Sequence, residues 1–183
     1  MANTVANVTA GKPQASGYIY RAPAGTTPPA DASTSLASAF VCLGYASDDG
    51  VTNEHSTEET VKAWGGDVVL TTHEDKFTFT LIESLSADVL AAVYGDDNVS
   101  GTALSTGISV SVNDSSPTQD VWVIEMLLNA DTLKRIVIPK GMVSEVGEIT
   151  YKDDEAVGYE ITLIAGADES GNTHYEYLKT AST

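Results

Sequence analysis

The sequence predicts a mainly β protein: an antiparallel sandwich or barrel with one short flanking α-helix at about residues 87–94. Three observations predict it. Apolar segments of strand length recur between clusters of turn-forming residues, as in an antiparallel meander. Residues 121–128 form a nearly continuous apolar run, the pattern of a strand covered on both faces. A single segment carries helical spacing together with start and stop signals.

The elements follow in chain order. Gly17-Tyr18-Ile19-Tyr20-Arg21 reads as a short strand, and the prolines that follow it, Pro23, Pro28 and Pro29, make residues 22–29 a loop. Asp31 is placed to cap a helical turn with Leu36 and Phe40 on one face. Residues 40–45 read as a strand. Residues 46–57 read as a polar loop, turning at Asp48-Asp49-Gly50. Residues 59–64, 67–72 and 76–83 then read as separate strands, broken at Gly65-Gly66 and Glu74-Asp75. In the last of these, Phe77, Phe79 and Leu81 alternate with Thr78, Thr80 and Ile82, a period of two.

Ser86 is a good helix N-cap, and Asp88 puts a negative charge in the first turn, where the helix dipole favours it. Leu85, Val89, Ala92 and Val93 share a face, and Gly95 stands where a helix commonly ends in the left-handed conformation. Strands are expected again at 108–112, 121–128, 133–138, 143–151 and 156–164. Asn129-Ala130-Asp131, Pro139-Lys140-Gly141 and Lys152-Asp153-Asp154 separate the later ones. Residues 172–183 are polar and read as a C-terminal tail, with Tyr175 and Tyr177 as anchors. The whole, residues 1–183, reads as a single domain, with an N-terminal arm and loop region over 1–40.

Charge narrows the function. Twenty-six acidic residues against nine basic ones give a net charge of −17 and a pI near 4.2. Such a surface repels phosphate, which argues against tight binding to nucleic acid or to an anionic membrane. The charge is unevenly placed: residues 1–30 hold Lys12 and Arg21 and no acid, so they carry +2 and the remainder carries −19. An acid-free arm beside an acidic body is suited to dock on a neighbouring copy; a frayed terminus is the plainer alternative. No stretch approaches the length of a membrane span, and the N-terminus lacks the basic start and apolar core of a signal peptide. A soluble protein made in a cytoplasm is expected.

Motifs for chemistry are missing. Tyr94-Gly95-Asp96-Asp97 spells the metal-binding hairpin of viral RNA polymerases, but here it ends a helix. The acidic clusters Asp48-Asp49, Glu58-Glu59, Glu74-Asp75 and Asp153-Asp154-Glu155 lack the spacing of a calcium loop. His55, His73 and His174 show no metal-ligand spacing, and no nucleophile elbow or phosphate-binding loop is present. Cys42, between Val41 and Leu43 and far from any Lys or Arg in sequence, reads as a small buried hydrophobe. Neither an enzyme nor a cofactor or metal site is expected.

Several stretches together resemble the major tail (tail tube) proteins of long, non-contractile-tailed actinobacteriophages. They are Tyr20-Arg21-Ala22-Pro23-Ala24-Gly25-Thr26-Thr27-Pro28, Leu43-Gly44-Tyr45-Ala46-Ser47-Asp48-Asp49-Gly50-Val51-Thr52 and Lys62-Ala63-Trp64-Gly65-Gly66-Asp67. Further along come Phe79-Thr80-Leu81-Ile82-Glu83, residues 89–99, Leu133-Lys134-Arg135-Ile136-Val137-Ile138-Pro139 and residues 145–151. The resemblance is ordered along nearly the whole chain, and Pro28-Pro29 departs from a usual Leu-Pro. It implies a structural virion protein with no catalytic residue: six copies form a ring, rings stack into a hollow tube, and strands of each copy join a continuous inner barrel through which DNA leaves. The implied partners are further copies of the chain, a tape measure protein and tail tip or terminator proteins, with DNA passing unbound and no membrane involved. The implied location is the phage tail.

On this reading residues 22–40 and 46–57 make contacts between subunits, with Arg21, Pro23, Pro28, Leu36, Phe40, Asp48 and Asp49 as the contact residues. Glu54, Glu58, Glu59 and Glu83 are the acids expected to face the lumen. Deleting residues 1–30 is expected to leave a folded monomer that does not assemble. Two other readings stay open: an acidic immunoglobulin-like decoration or adhesion module, and the tube protein of a contractile injection machine.

Overall fold

The computed structural model describes residues 7–13, 18–61, 68–115, 117–129 and 131–181, and within these the side chains of 58–61 and 68–72 are left aside. The strand start at Gly17, the Gly65-Gly66 turn, the whole of segment 62–67 and the turn residue Ala130 fall outside the described residues. The fold is mainly β, built from antiparallel strands with one α-helix.

Its centre is a long hairpin of β8 (Gln119–Leu128) and β9 (Thr132–Val146). On the free side of β8 lie β2 (Ile19–Ala22) and then β1 (Gly11–Pro13), with β3 (Val41–Cys42) beyond β2. On the free side of β9 lie β11 (Tyr175–Thr180), against residues 132–137, and then β10 (Tyr159–Ala165), against residues 141–146. Beyond β10 come β5 (Val68–Leu81) and, at the edge, β4 (Ala46–Val61). A separate ribbon pairs β6 (Val99–Ser100) with β7 (Ser109–Val110).

The sheet curls on itself. β5 and β8 are three strands apart, about 14 Å in a flat sheet. Yet the rings of Phe79 on β5 and Trp122 on β8 lie 6.2 Å apart. Phe77, Phe79, Leu81, Trp122, Ile124, Ile138, Ile161 and Leu163 therefore share one core, all at most 2% exposed. Each contributes on the order of 2 kcal/mol by leaving water. The bend is in β9. Trp122 pairs with Ile138 but Asp120 pairs with Gly141, so Pro139 and Lys140 fall in an irregularity of the ladder. Pro139 has no N–H, and it stands where the ladder to β8 slips and the other flank changes from β11 to β10. Gly141 lets Trp122 fold in: a Cβ there would lie 2.5 Å from the indole Cδ1, and its carbonyl accepts the indole N–H at 3.2 Å.

The α-helix, α1 (Ala87–Tyr94), has the expected bounds and closes the open side of the core with Val89, Leu90, Ala92 and Val93. Its details differ from the sequence reading. Leu85 is 68% exposed, and Leu90 takes its place on the buried face. The Ser86 side chain makes no capping hydrogen bond. Gly95 has φ +95° and ψ +144°, an extended conformation open to glycine rather than the left-handed helical one.

Other expectations are corrected. Residues 46–57 are not a loop: they belong to β4, and Asp48-Asp49-Gly50 sits in a bulge between the pairs Ala46–Leu81 and Val51–Phe79. Glu74-Asp75 does not break β5, and Pro139-Lys140-Gly141 does not break β9. The stretch 172–183 is not merely a tail, because Tyr175–Thr180 forms β11. The 31–40 stretch forms bends and turns rather than a helical turn. The strands expected at 40–45, 108–112 and 143–151 shrink to Val41–Cys42, Ser109–Val110 and the end of β9 at Val146.

Candidate assembly surfaces

The two arginines of the chain, both fixed by strands, are engaged inside the subunit. Arg21 on β2 donates from Nε to Asp120 at 2.6 Å and from Nη1 and Nη2 to Asp96 at 3.0 and 2.6 Å. Burial works against its charge, and the two carboxylates more than offset that and raise its pKa. Arg135 on β9 donates to Glu125 on β8 and, through Nη1, to the carbonyls of Asp31 and Thr34 at 2.8 and 2.9 Å. Arg135 thus holds the 31–36 stretch down on the sheet; Ala32 is 4% exposed and Lys179 donates to Ser33. The Asp31 carboxylate accepts from Thr34 and from the backbone N–H of Ser33 and Thr34, which holds its pKa well below the usual range. Only the geometry of a cap is present there, with no helix behind it.

The sites expected between subunits are therefore of several kinds. Arg21 is internally paired. Leu36 borders a cavity of about 260 Å³ with Tyr20, Glu125, Leu133 and Arg135. Phe40 and Pro28 are half-buried, whereas Pro23, Asp48 and Asp49 are exposed. Cys42, expected to be buried, is exposed on β3. Within the N-terminal region, β2 is no detachable arm: Ile19 is fully buried, and β2 pairs with β8 along its whole length. Deleting residues 1–30 would remove a strand of the core, so it cannot serve as a test of assembly alone.

The β4–β5–β10–β9 quarter has two unlike faces. Phe77, Phe79, Leu81, Ile161 and Leu163 point into the core. The alternate positions in register, Thr52–Thr78–Thr162–Glu145, Glu54–Lys76–Ile164–Met142 and Thr80–Glu160, form a face that is polar apart from the half-buried Ile164 and Met142. Of the acids expected at the lumen, Glu54 is on this face. Glu58 and Glu59 pair by backbone with Thr72 and Leu70, and their side chains lie outside the described residues. Glu83 follows β5 and lies over Gly44, where a Cβ would fall 1.8 Å from its Oε1, so it is off this face. Glu145, Glu160 and Glu74, which share this face, were not among the acids expected at the lumen. The Thr78/Thr80 alternation was the available signal, but it does not say which strands lie alongside.

β4 is an edge strand of sixteen residues; among the described residues no strand pairs with its outer side. At its base the three histidines gather, which the sequence did not reveal. Asp75, 1% exposed, receives His55 Nδ1 at 2.5 Å, His174 Nδ1 at 3.1 Å and the Thr173 hydroxyl. His73 stacks on His55 at 5.8 Å. Burial alone would push the Asp75 carboxyl up, but the bonds from Thr173, His55 and His174 outweigh it and lower its pKa. This cluster ties β4, β5 and the approach to β11. Among the described residues no group of three or more His, Cys, Asp or Glu is arranged to hold a metal ion.

A groove of about 470 Å³ opens between the C-terminal half of α1 and the start of β8 with the end of β9. Val93, Trp122, Val143 and Val146 give it apolar walls; Asp96, Asp97 and Asp120 stand at its side with Arg21 as the one cation among its lining residues. Among the described residues no helix is long and apolar enough to cross a membrane.

The described residues thus present a long open edge and a largely polar sheet face. No curated protein matches the chain significantly. A family model described as phage tail tube protein matches residues 2–182, and the chain belongs to that family of structural tail proteins.

Proposed function

We propose that the protein closes into hexameric rings that stack as the tube of a long non-contractile phage tail, with its polar β4–β5–β10–β9 face lining an acidic channel for DNA ejection. The observation that carries this reading is the pairing of a sixteen-residue open edge with a polar face on the same quarter of the sheet. Exposed edges of that length invite pairing with another chain. Sharing edges around a ring satisfies their backbone groups, as in any closed barrel. The face opposite the core then points to the ring axis, bearing Glu54, Glu145 and Glu160, with its Lys76 paired to Glu74 at 3.2 Å. An acidic wall gives DNA phosphates nothing to bind by counterion release, so DNA slides. The role is structural and non-enzymatic. Its partners are further copies, a tape measure protein and tip or terminator proteins, and its place is the virion tail.

Electron microscopy of the purified protein tests the reading. Stacked six-membered rings with a central channel support it. A monomer at all concentrations favours a decoration module. A sheath protein around the tube in the virion favours a contractile machine.

A further inference from the structure

We infer that copies stack head to tail by seating the acid-free N-terminal stretch of one copy, through Val8 and Lys12, in the groove between α1 and the β8–β9 hairpin of the next. The inference rests on the tube reading for the existence of stacked copies, and on separate observations for the contact.

The first observation is position. Val8 lies at the turn end of the β8–β9 hairpin: the Asn129 side chain donates to its carbonyl at 3.2 Å, and Lys12 pairs by backbone with Leu127. The groove lies at the other end, lined by Thr118, Asp120, Trp122 and residues 143–146. β8 runs from Gln119 to Leu128, so the two sites stand about 30 Å apart along one rigid axis. A knob at one end of a subunit and a socket at the other is the arrangement that builds an open stack rather than a closed dimer.

The second observation is chemical fit. Val8 is 74% exposed and every described residue from 7 to 13 is exposed, so the stretch presents an apolar side chain and a cation outward. At the groove Val112 is 75% exposed beside apolar walls, and Asp96, Asp97 and Asp120 outnumber Arg21. Asp97 and Glu145 are the exposed acids there for which no salt bridge is found among the described residues, and Asp97, next to the Arg21-bound Asp96, is the natural partner for Lys12. Residues 1–30 carry no acid that the groove would repel. The occupant is thus a second copy of this chain.

Two measurements test the contact on the full chain. Lys12→Glu is expected to raise the critical concentration for tube growth by about fivefold, the effect of a reversed exposed pair, and Asp97→Lys in the same chain is expected to restore it. In a Cys42→Ser background, Val8→Cys with Val112→Cys is expected to yield a disulfide ladder of linked copies; the two sites are too far apart within one chain to join. Tubes without a ladder, or Lys12→Glu tubes growing as the wild type does, overturn the docking and leave the tube reading standing. A ladder from wild-type-like oligomers that never form tubes supports the docking and overturns the tube reading. Neither ladder nor tube overturns both.

Discussion

The β8–β9 hairpin and the β4–β5 hairpin are built from strands of similar length, yet they solve opposite problems. β8 is buried along residues 120–125, has strands on both sides and keeps its charges in pairs: Glu125 with Arg135, Asp120 with Arg21. Among the described residues, β5 buries one face, at Asp75, Phe77, Phe79 and Leu81, while β4 has no buried side chain and no strand on its outer side. The first hairpin is the scaffold that sets the two layers of the core. The second, on the proposed reading, is the surface that meets partners. The difference teaches where substitutions should unfold the subunit and where they should spare it but spoil the assembly.

The largest effect is expected in the first hairpin. Arg135→Ala leaves the 7%-exposed Glu125 without its cation and releases the 31–36 stretch. A loss of about 3–5 kcal/mol is expected in chemical denaturation. An apolar pair, Arg135→Met with Glu125→Leu, should recover much of it, because the cost lies in the orphaned charge.

Next comes the base of the second hairpin. Asp75→Asn is expected to cost about 2 kcal/mol, since a neutral amide cannot accept three donors as the carboxylate does. The wild type should also show a pH signature. The folded pKa of Asp75 is below its ordinary value of 3.8, so its contribution is complete above that pH and is lost as pH falls toward the folded value. Denaturation midpoints measured from pH 6 down should fall below about pH 4, and more steeply in the wild type than in Asp75→Asn.

A smaller effect on folding separates the polar face from both. Glu54→Lys with Glu160→Lys should leave subunit stability within about 0.5 kcal/mol. Virions carrying both should nonetheless eject DNA more slowly; unchanged ejection would detach this face from the channel. The smallest effect is expected at Ser86→Ala. An N-cap serine usually contributes about 1 kcal/mol, but here the side chain makes no cap bond, so the denaturation midpoint should barely move.

How much of this was readable depended on whether a residue's role was local. The α1 bounds follow from spacing within eight residues, and the apolar run of β8 already says that both faces are covered. Phe77, Phe79 and Leu81 announce their face by alternation. Where turn residues met a strand partner, the local signal misled. Asp48-Asp49-Gly50 has the composition of a turn, but pairing with β5 makes it a bulge. Pro139 looks like a break, but it occupies the point where β9 changes neighbours and needs no N–H. Tyr175–Thr180 looks like a tail until β9 supplies its ladder. Arg21 looks available to a neighbour until β2 brings it beside Asp120, ninety-nine residues away.

By itself the sequence determined the β class, the one helix, the acidic surface with its acid-free start, and an ordered likeness to tail tube proteins. These rest on composition and short-range periodicity, which act within a few residues of chain. Only the tertiary structure decided that the N-terminal strand β2 is core rather than arm, that two of three scattered histidines meet one buried carboxylate while the third stacks on one of them, and which glutamates share a face with Glu54. Those depend on strand order and register, and register is set by side chains that meet across the sheet from distant parts of the chain.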